Sequence, residues 1–152
     1  MTDRFDGDIK IQRIASGDNE GDYDVIFTNG QPEMTQGFDS AVLLAVFGDK
    51  NTWQNLIAKT EAEKFISDFP AVIERGVVTE KTKNDGVQAL RRALQFLTDV
   101  KAAKSVTVTG QILSVYGIMW EIKIERPDGG TSRYRATYDT RNKWDAVWQS
   151  YE

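Results

Sequence analysis

Between residues 82 and 103 apolar side chains recur every three or four positions, and from residue 105 the interval becomes two. No feature of this chain constrains its fold more. Val87, Leu90, Leu94 and Leu97 step by three, four and three, and Ala93, Phe96 and Val100 widen the stripe, as on one face of a helix. Thr82 with Asp85 three residues on predicts its N-terminal cap, and Lys101 and Lys104 stand where a helix C-terminus favours cations. Gly86 in the first turns costs about 1 kcal/mol relative to Ala. Val106 and Val108 then begin a strand, and Gly117 marks a turn. Ile118, Trp120, Ile122 and Ile124 alternate with Met119, Glu121, Lys123 and Glu125. Pro127-Asp128-Gly129-Gly130 is a hairpin turn, after which Tyr134, Ala136 and Tyr138 continue the alternation. The expectation is a three-stranded antiparallel meander over residues 105–139, one face solvated and the other packed on the long helix. Trp144 and Trp148, four apart, predict a short closing helix.

Upstream the elements are shorter. Ile9 and Ile11 alternate with Lys10 and Gln12, predicting a half-buried strand over Asp8–Ile14, and a second runs from Tyr23 to Thr28 before the turn pair Asn29-Gly30. Phe38, Val42, Leu43, Val46 and Phe47 then share one helical face ending at Gly48, a natural left-handed cap. Trp53, Leu56 and Ile57 fit a helical turn. Ala62, Phe65, Ile66 and Phe69 form another stripe, stopped or kinked by Pro70, and Gly76 closes the region. There is no internal repeat, low-complexity stretch or linker. The fold class is α+β, a single domain over residues 1–152 with short N-terminal strands and a C-terminal meander packed on helices.

Cysteine and histidine are both absent, which removes disulfides, Cys or His metal ligands, and every Ser-His-Asp or Cys-His constellation. An enzyme built on this chain would work with carboxylates, amines or hydroxyls. Asp39, Asp49, Glu61 and Glu63 are the candidates for a glycosidase-type carboxylate pair, but none lies in a stretch whose pattern forces a cleft. The acidic loop Asp18–Asp24 invites a calcium reading; counted from Asp18, the sixth and twelfth residues are Tyr23 and Asn29, where an EF-hand needs Gly and Glu. No phosphate loop or dinucleotide fingerprint occurs, and no cofactor or small-molecule substrate is implied. The longest apolar run, Ala41–Phe47, is far short of a membrane span, and the acidic N-terminus is unlike a signal peptide, so the expectation is a soluble, unexported chain.

Of the net charge of −4, residues 1–24 carry all, while residues 126–143 hold Arg126, Arg133, Arg135, Arg141 and Lys143 against two acids. Five bases in that span are too few for a nucleic-acid surface. They could instead attract an acidic head or a second copy, or form solvated faces. The strand Thr131–Thr140, last of the meander, presents Arg133 and Arg135 outward. The expectation is that its edge receives an acidic partner strand, with Trp144 and Trp148 either closing the core or gripping beside it.

The order of these pieces is an apolar helix ending Phe47-Gly48-Asp49, a nearby Trp53, and a long helix with Ala89-Leu90 and Phe96-Leu97-Thr98-Asp99. A strand ending Arg126-Pro127-Asp128-Gly129 and a closing aromatic strand complete it. Over residues 22–148 it resembles the phage Mu gene-46-product family of baseplate proteins in contractile-tailed phages, themselves similar to the gene-25-type wedge subunit and sheath initiator. Where that family often has Trp-Trp-Gly-Asp after its first helix, this chain has Trp53-Gln54-Asn55. The resemblance implies a non-enzymatic virion component in the tail baseplate. It would be a wedge subunit near the tube that binds a larger wedge protein and meets sheath and tube or spike proteins. It would template the first sheath ring by strand exchange, with Arg133, Arg135, Trp144, Trp148 and Trp53 as partner contacts. The competing classes are a carboxylate-based peptidoglycan hydrolase and a small regulatory adaptor.

Overall fold

The computed structural model describes residues 8–9, 11–13, 23–35, 38–48, 50, 53–60, 64, 66–142 and 146–151. Two compact units divide the chain, residues 1–43 and 44–152.

In the first unit, short antiparallel pairs replace the longer strands expected. β1 (Asp8–Ile9) pairs with β6 (Met34–Thr35), β2 (Ile11–Arg13) with β3 (Tyr23–Val25), and β4 (Phe27–Thr28) with β5 (Gln31–Pro32). The Asn29-Gly30 turn forms as its sequence predicts: both residues take positive φ, 52° and 76°, the two-residue hairpin geometry that matches strand twist. Helix α1 (Asp39–Phe47) follows, with Val42 and Val46 fully buried. After it, the Gly48 N–H donates to the Leu44 carbonyl and the Gly48 carbonyl accepts from the Ser67 N–H, so backbone bonds hold this end of the helix.

The second unit takes in the last residues of α1, from Leu44, and continues with α2 (Gln54–Ile57), a single turn, and α3 (Phe69–Glu74). Pro70 lies in the first turn of α3, so it starts that helix instead of stopping an earlier one; its missing N–H would be unbonded there anyway. Gly76, at φ 68°, turns the chain after it. The long helix, α4, spans Glu80–Asp99 and is capped by Thr79, whose hydroxyl accepts from the Thr82 N–H at 3.1 Å. Thr82 itself is buried, so the cap lies three residues upstream of its sequence-predicted place. Leu90, Leu94 and Leu97 are buried as expected, each contributing about 1.5–3 kcal/mol by removal from water. Phe96 and Val100 do not widen the core face: they are exposed, because a period of 3.6 carries them past the stripe's edge.

The meander forms in the expected order, β7 (Ser105–Ser114), β8 (Gly117–Glu125) and β9 (Thr131–Asp139), and its inner face is the predicted one. Ile118, Trp120, Ile122 and Ile124 of β8 and Tyr134, Ala136 and Tyr138 of β9 are buried. Helix α4 packs on β7 and β8, and α3 packs on α4. Phe69 joins the layers, edge-on to Trp120 with ring centroids 5.0 Å apart.

A fourth strand corrects the reading of the C-terminus. After a 3-10 turn at Thr140–Asn142, β10 (Ala146–Tyr151) pairs antiparallel with β9, and the sheet order is β10-β9-β8-β7. Thus Trp148 lies in a strand, its backbone opposite Ala136, and no closing helix contains it. Six residues are too few for a self-supporting helix, whereas alongside β9 each finds a backbone partner. The strand expected to offer a free edge, Thr131–Thr140, is therefore interior.

Candidate interaction surface

With the inner face of the sheet occupied by α4, the outer face carries the side chains at the alternate positions. Register fixes which of them face one another. Glu121 stands directly opposite Arg135, and Lys123 opposite Arg133. The first pair is an ion pair, Arg135 Nη2 donating to Glu121 Oε1 at 2.7 Å. The second is a like-charge pair, and among the described residues no carboxylate pairs with either cation. One row further, Ser105 on β7 donates to Glu125 Oε2 at 3.1 Å. Thr107 and Thr109, also on β7, flank the charged rows across the next strand gap, opposite Lys123 and Glu121. Together Thr107, Thr109, Glu121, Ile122, Lys123 and Arg133 line a depression of about 230 Å³.

Of the five residues expected to meet a partner, the structure brings Arg133 and Arg135 onto this face, but in different states. Arg135 is engaged by Glu121, while Arg133 is exposed beside Lys123. Trp53 lies apart, 65% exposed, with Leu56 and Ile57 of the following helical turn exposed as well. Trp144 lies outside the described residues, and for Trp148 the backbone register is what is described. Of the carboxylates considered for hydrolysis, Asp49, Glu61 and Glu63 also lie outside the described residues, and Asp39 is the first residue of α1. Reading the residues missed Lys123, Thr107 and Thr109. The signal was present, since counting outward from the Pro127–Gly130 turn sets Lys123 against Arg133.

Elsewhere the charged groups hold the fold. Asp68, just before α3, is bridged by Lys50 and by Arg92 of α4 at 3.1 Å, and the Lys50 ammonium chiefly holds its carboxyl below the usual carboxylate range. Asp85 is likewise lowered by Arg75 and then Lys81, and Asp139 by Arg141. Arg141 also lies over the Tyr116 ring, 4.9 Å from its centroid. Burial raises the Tyr138 phenol, which keeps it neutral. Among the described residues no helix is long and apolar enough to cross a membrane, and no group of acidic side chains is placed to hold a metal ion.

Compared with protein-family models, curated proteins and solved structures, the chain matches none.

Proposed function

We propose that this protein is a structural subunit of a contractile-tail baseplate. In this reading it is a wedge component near the central tube that binds a larger wedge protein and starts the first sheath ring by accepting a strand. The observation that supports it is the outer edge of β7. Among the described residues no strand pairs there, and the ten residues Ser-Val-Thr-Val-Thr-Gly-Gln-Ile-Leu-Ser contain neither a charge nor a proline. Natural sheets usually blunt an edge with Lys, Pro or a covering loop, because its free N–H and C=O groups template another strand. An edge left this plain suits strand addition by a partner. Strand exchange thus moves from β9, where β10 already sits, to β7. The order of elements, an apolar helix, a long amphipathic helix and a meander turning at Arg126–Gly129, is the order on which the family resemblance rests.

The test is reconstitution with sheath, tube and larger wedge proteins. The chain is expected to co-purify with assembled baseplates and to start sheath polymerisation on them. Gln111→Lys, which sets a charge on exposed β7, is expected to leave the circular dichroism spectrum and baseplate incorporation unchanged while slowing sheath initiation. Absence from purified tails would overturn the proposal, as would peptidoglycan turnover abolished by changing a single carboxylate.

A further inference from the structure

Lys123 and Arg133 are direct cross-strand neighbours of the same sign, an arrangement that destabilises a sheet where an opposite pair would stabilise it. The adjacent row solves the same problem with Glu121 and Arg135, so the fold can accommodate an ion pair at this place and does not use one at Lys123. Small hydroxyl side chains, Thr107 opposite Lys123 and Thr109 opposite Glu121, line the depression with the two cations. Glu121 also lines it, but its carboxylate is bonded by Arg135, and no salt bridge among the described residues reaches Lys123 or Arg133. A local cost kept on an exposed face, with two cations lining a hollow, marks a place where a ligand of opposite charge completes the arrangement.

We propose that this face binds an extended acidic segment of a partner protein, a carboxylate of which seats between Lys123 and Arg133 and accepts hydrogen bonds from them. The depression, at about 230 Å³, is smaller than the ~300–1,000 Å³ of small-molecule sites and lies on a sheet face, which favours a chain laid along it over an enclosed ligand. An extended chain presents side chains on one face every ~6.6–6.8 Å, so a carboxylate on the Lys123–Arg133 row has its same-face neighbours on the Glu121–Arg135 and Glu125–Thr131 rows, where uncharged residues fit beside the glutamates. The proposal requires only the cation pair. It stands whether or not the β7 edge pairs with a sheath strand.

The probe is a short synthetic peptide with one central Glu between Thr and Val residues, titrated into the full chain and followed by backbone amide shifts. The expected result is perturbation centred on Thr107, Thr109, Lys123 and Arg133, with affinity falling as salt is added. Lys123→Gln with Arg133→Gln should bind about tenfold more weakly, whereas Arg91→Gln with Lys104→Gln, the same charge change elsewhere, should leave binding unaltered. Lys123→Glu separates binding from folding. It creates an opposite-charge pair with Arg133, so the denaturation midpoint should rise while peptide binding is lost. Three results would overturn the proposal: no binding at millimolar peptide, equal loss in both double variants, or retained binding in Lys123→Glu. So would self-association of the chain abolished by Asp→Asn changes at Asp18, Asp22 and Asp24 together with loss of shifts on this face, which would assign the surface to a second copy.

Discussion

The indole of Trp120 rests against the Cα of Gly86: a Cβ added at that glycine would lie 2.5 Å from Cε2. The same ring's Nε1–H donates to the Lys83 carbonyl at 3.0 Å, so one aromatic residue of β8 is both packed on and hydrogen-bonded to the first turns of α4. Gly110, directly across from Trp120 on β7, completes the slot; a Cβ there would meet Lys83 at 2.8 Å and Trp120 Cδ1 at 3.2 Å. Two glycines that weaken helix and strand locally therefore permit the close approach of the layers.

Gly86→Ala should destabilise the protein even though Ala is the better helix former. The propensity gain of about 1 kcal/mol is outweighed when a rigid indole, itself 0% exposed, must shift; overpacking of this kind costs about 1–3 kcal/mol. Urea denaturation of the two proteins measures the sign, and a more stable Gly86→Ala variant would show that the indole moves freely.

Leu94 is fully buried at the centre of the α4 stripe. Leu94→Ala should cost about 2–5 kcal/mol through lost transfer energy and the cavity left behind. A loss below about 1 kcal/mol in the same assay would mean that the site collapses around the smaller side chain.

How far the sequence foretells this molecule depends on whether a residue's environment is set locally or by distant chain. The two-residue period of β8 and β9 and the Asn29-Gly30 and Pro127–Gly130 turns were legible because side-chain alternation and positive φ are local properties. Thr79 and Thr82 are both capping residues by type, and the structure places the cap at Thr79. In the closing segment the spacing of Trp144 and Trp148 fits a helix. Only the presence of β9 beside Ala146–Tyr151 makes a strand the better state. At the candidate surface Arg133 and Arg135 looked equivalent, and cross-strand register alone separates the paired one from the one facing a lysine.

Lys101 follows α4 with φ 61°, a left-handed conformation that is unfavourable for a residue bearing a Cβ. It lets the Ala103 N–H reach back to the Leu97 carbonyl at 2.9 Å. Lys101→Gly should therefore stabilise the protein by about 0.5–1 kcal/mol, since the relief of backbone strain exceeds the added chain entropy of glycine. The check is the thermal midpoint, expected to rise; a fall would assign Lys101 a stabilising contact that outweighs its conformation.

Asp68 ties the start of α3 to Lys50 and to Arg92 of α4, and its carboxyl titrates below the ordinary Asp value of 3.8. A group whose folded pKa is depressed contributes stability that is fully present above its unfolded pKa and is lost as pH falls through the folded one. With the carboxylate partly exposed, the contribution is about 0.2–1 kcal/mol. Asp68→Asn should be less stable than the parent by that amount at pH 7, and the difference should close as pH drops below 3.8. A gap that persists unchanged in strong acid would trace the loss to packing instead of charge.

β10 supplies the backbone partners of β9 along Tyr138 to Arg133, so the C-terminal strand does by intramolecular pairing what an edge otherwise invites from another chain. Ending the chain after Asn142 would uncover β9, which lies over the most deeply buried part of the sheet: Tyr134, Ala136 and Tyr138 are each no more than 2% exposed. The truncated chain should lose several kcal/mol, as a sheet does when a whole strand's pairing and burial go. It should also self-associate at concentrations where the full chain stays monodisperse. Light scattering and denaturant midpoints measured side by side test this. If the shortened chain were equally stable and equally monodisperse, β10 would be an ornament on a sheet whose boundary lies at β9.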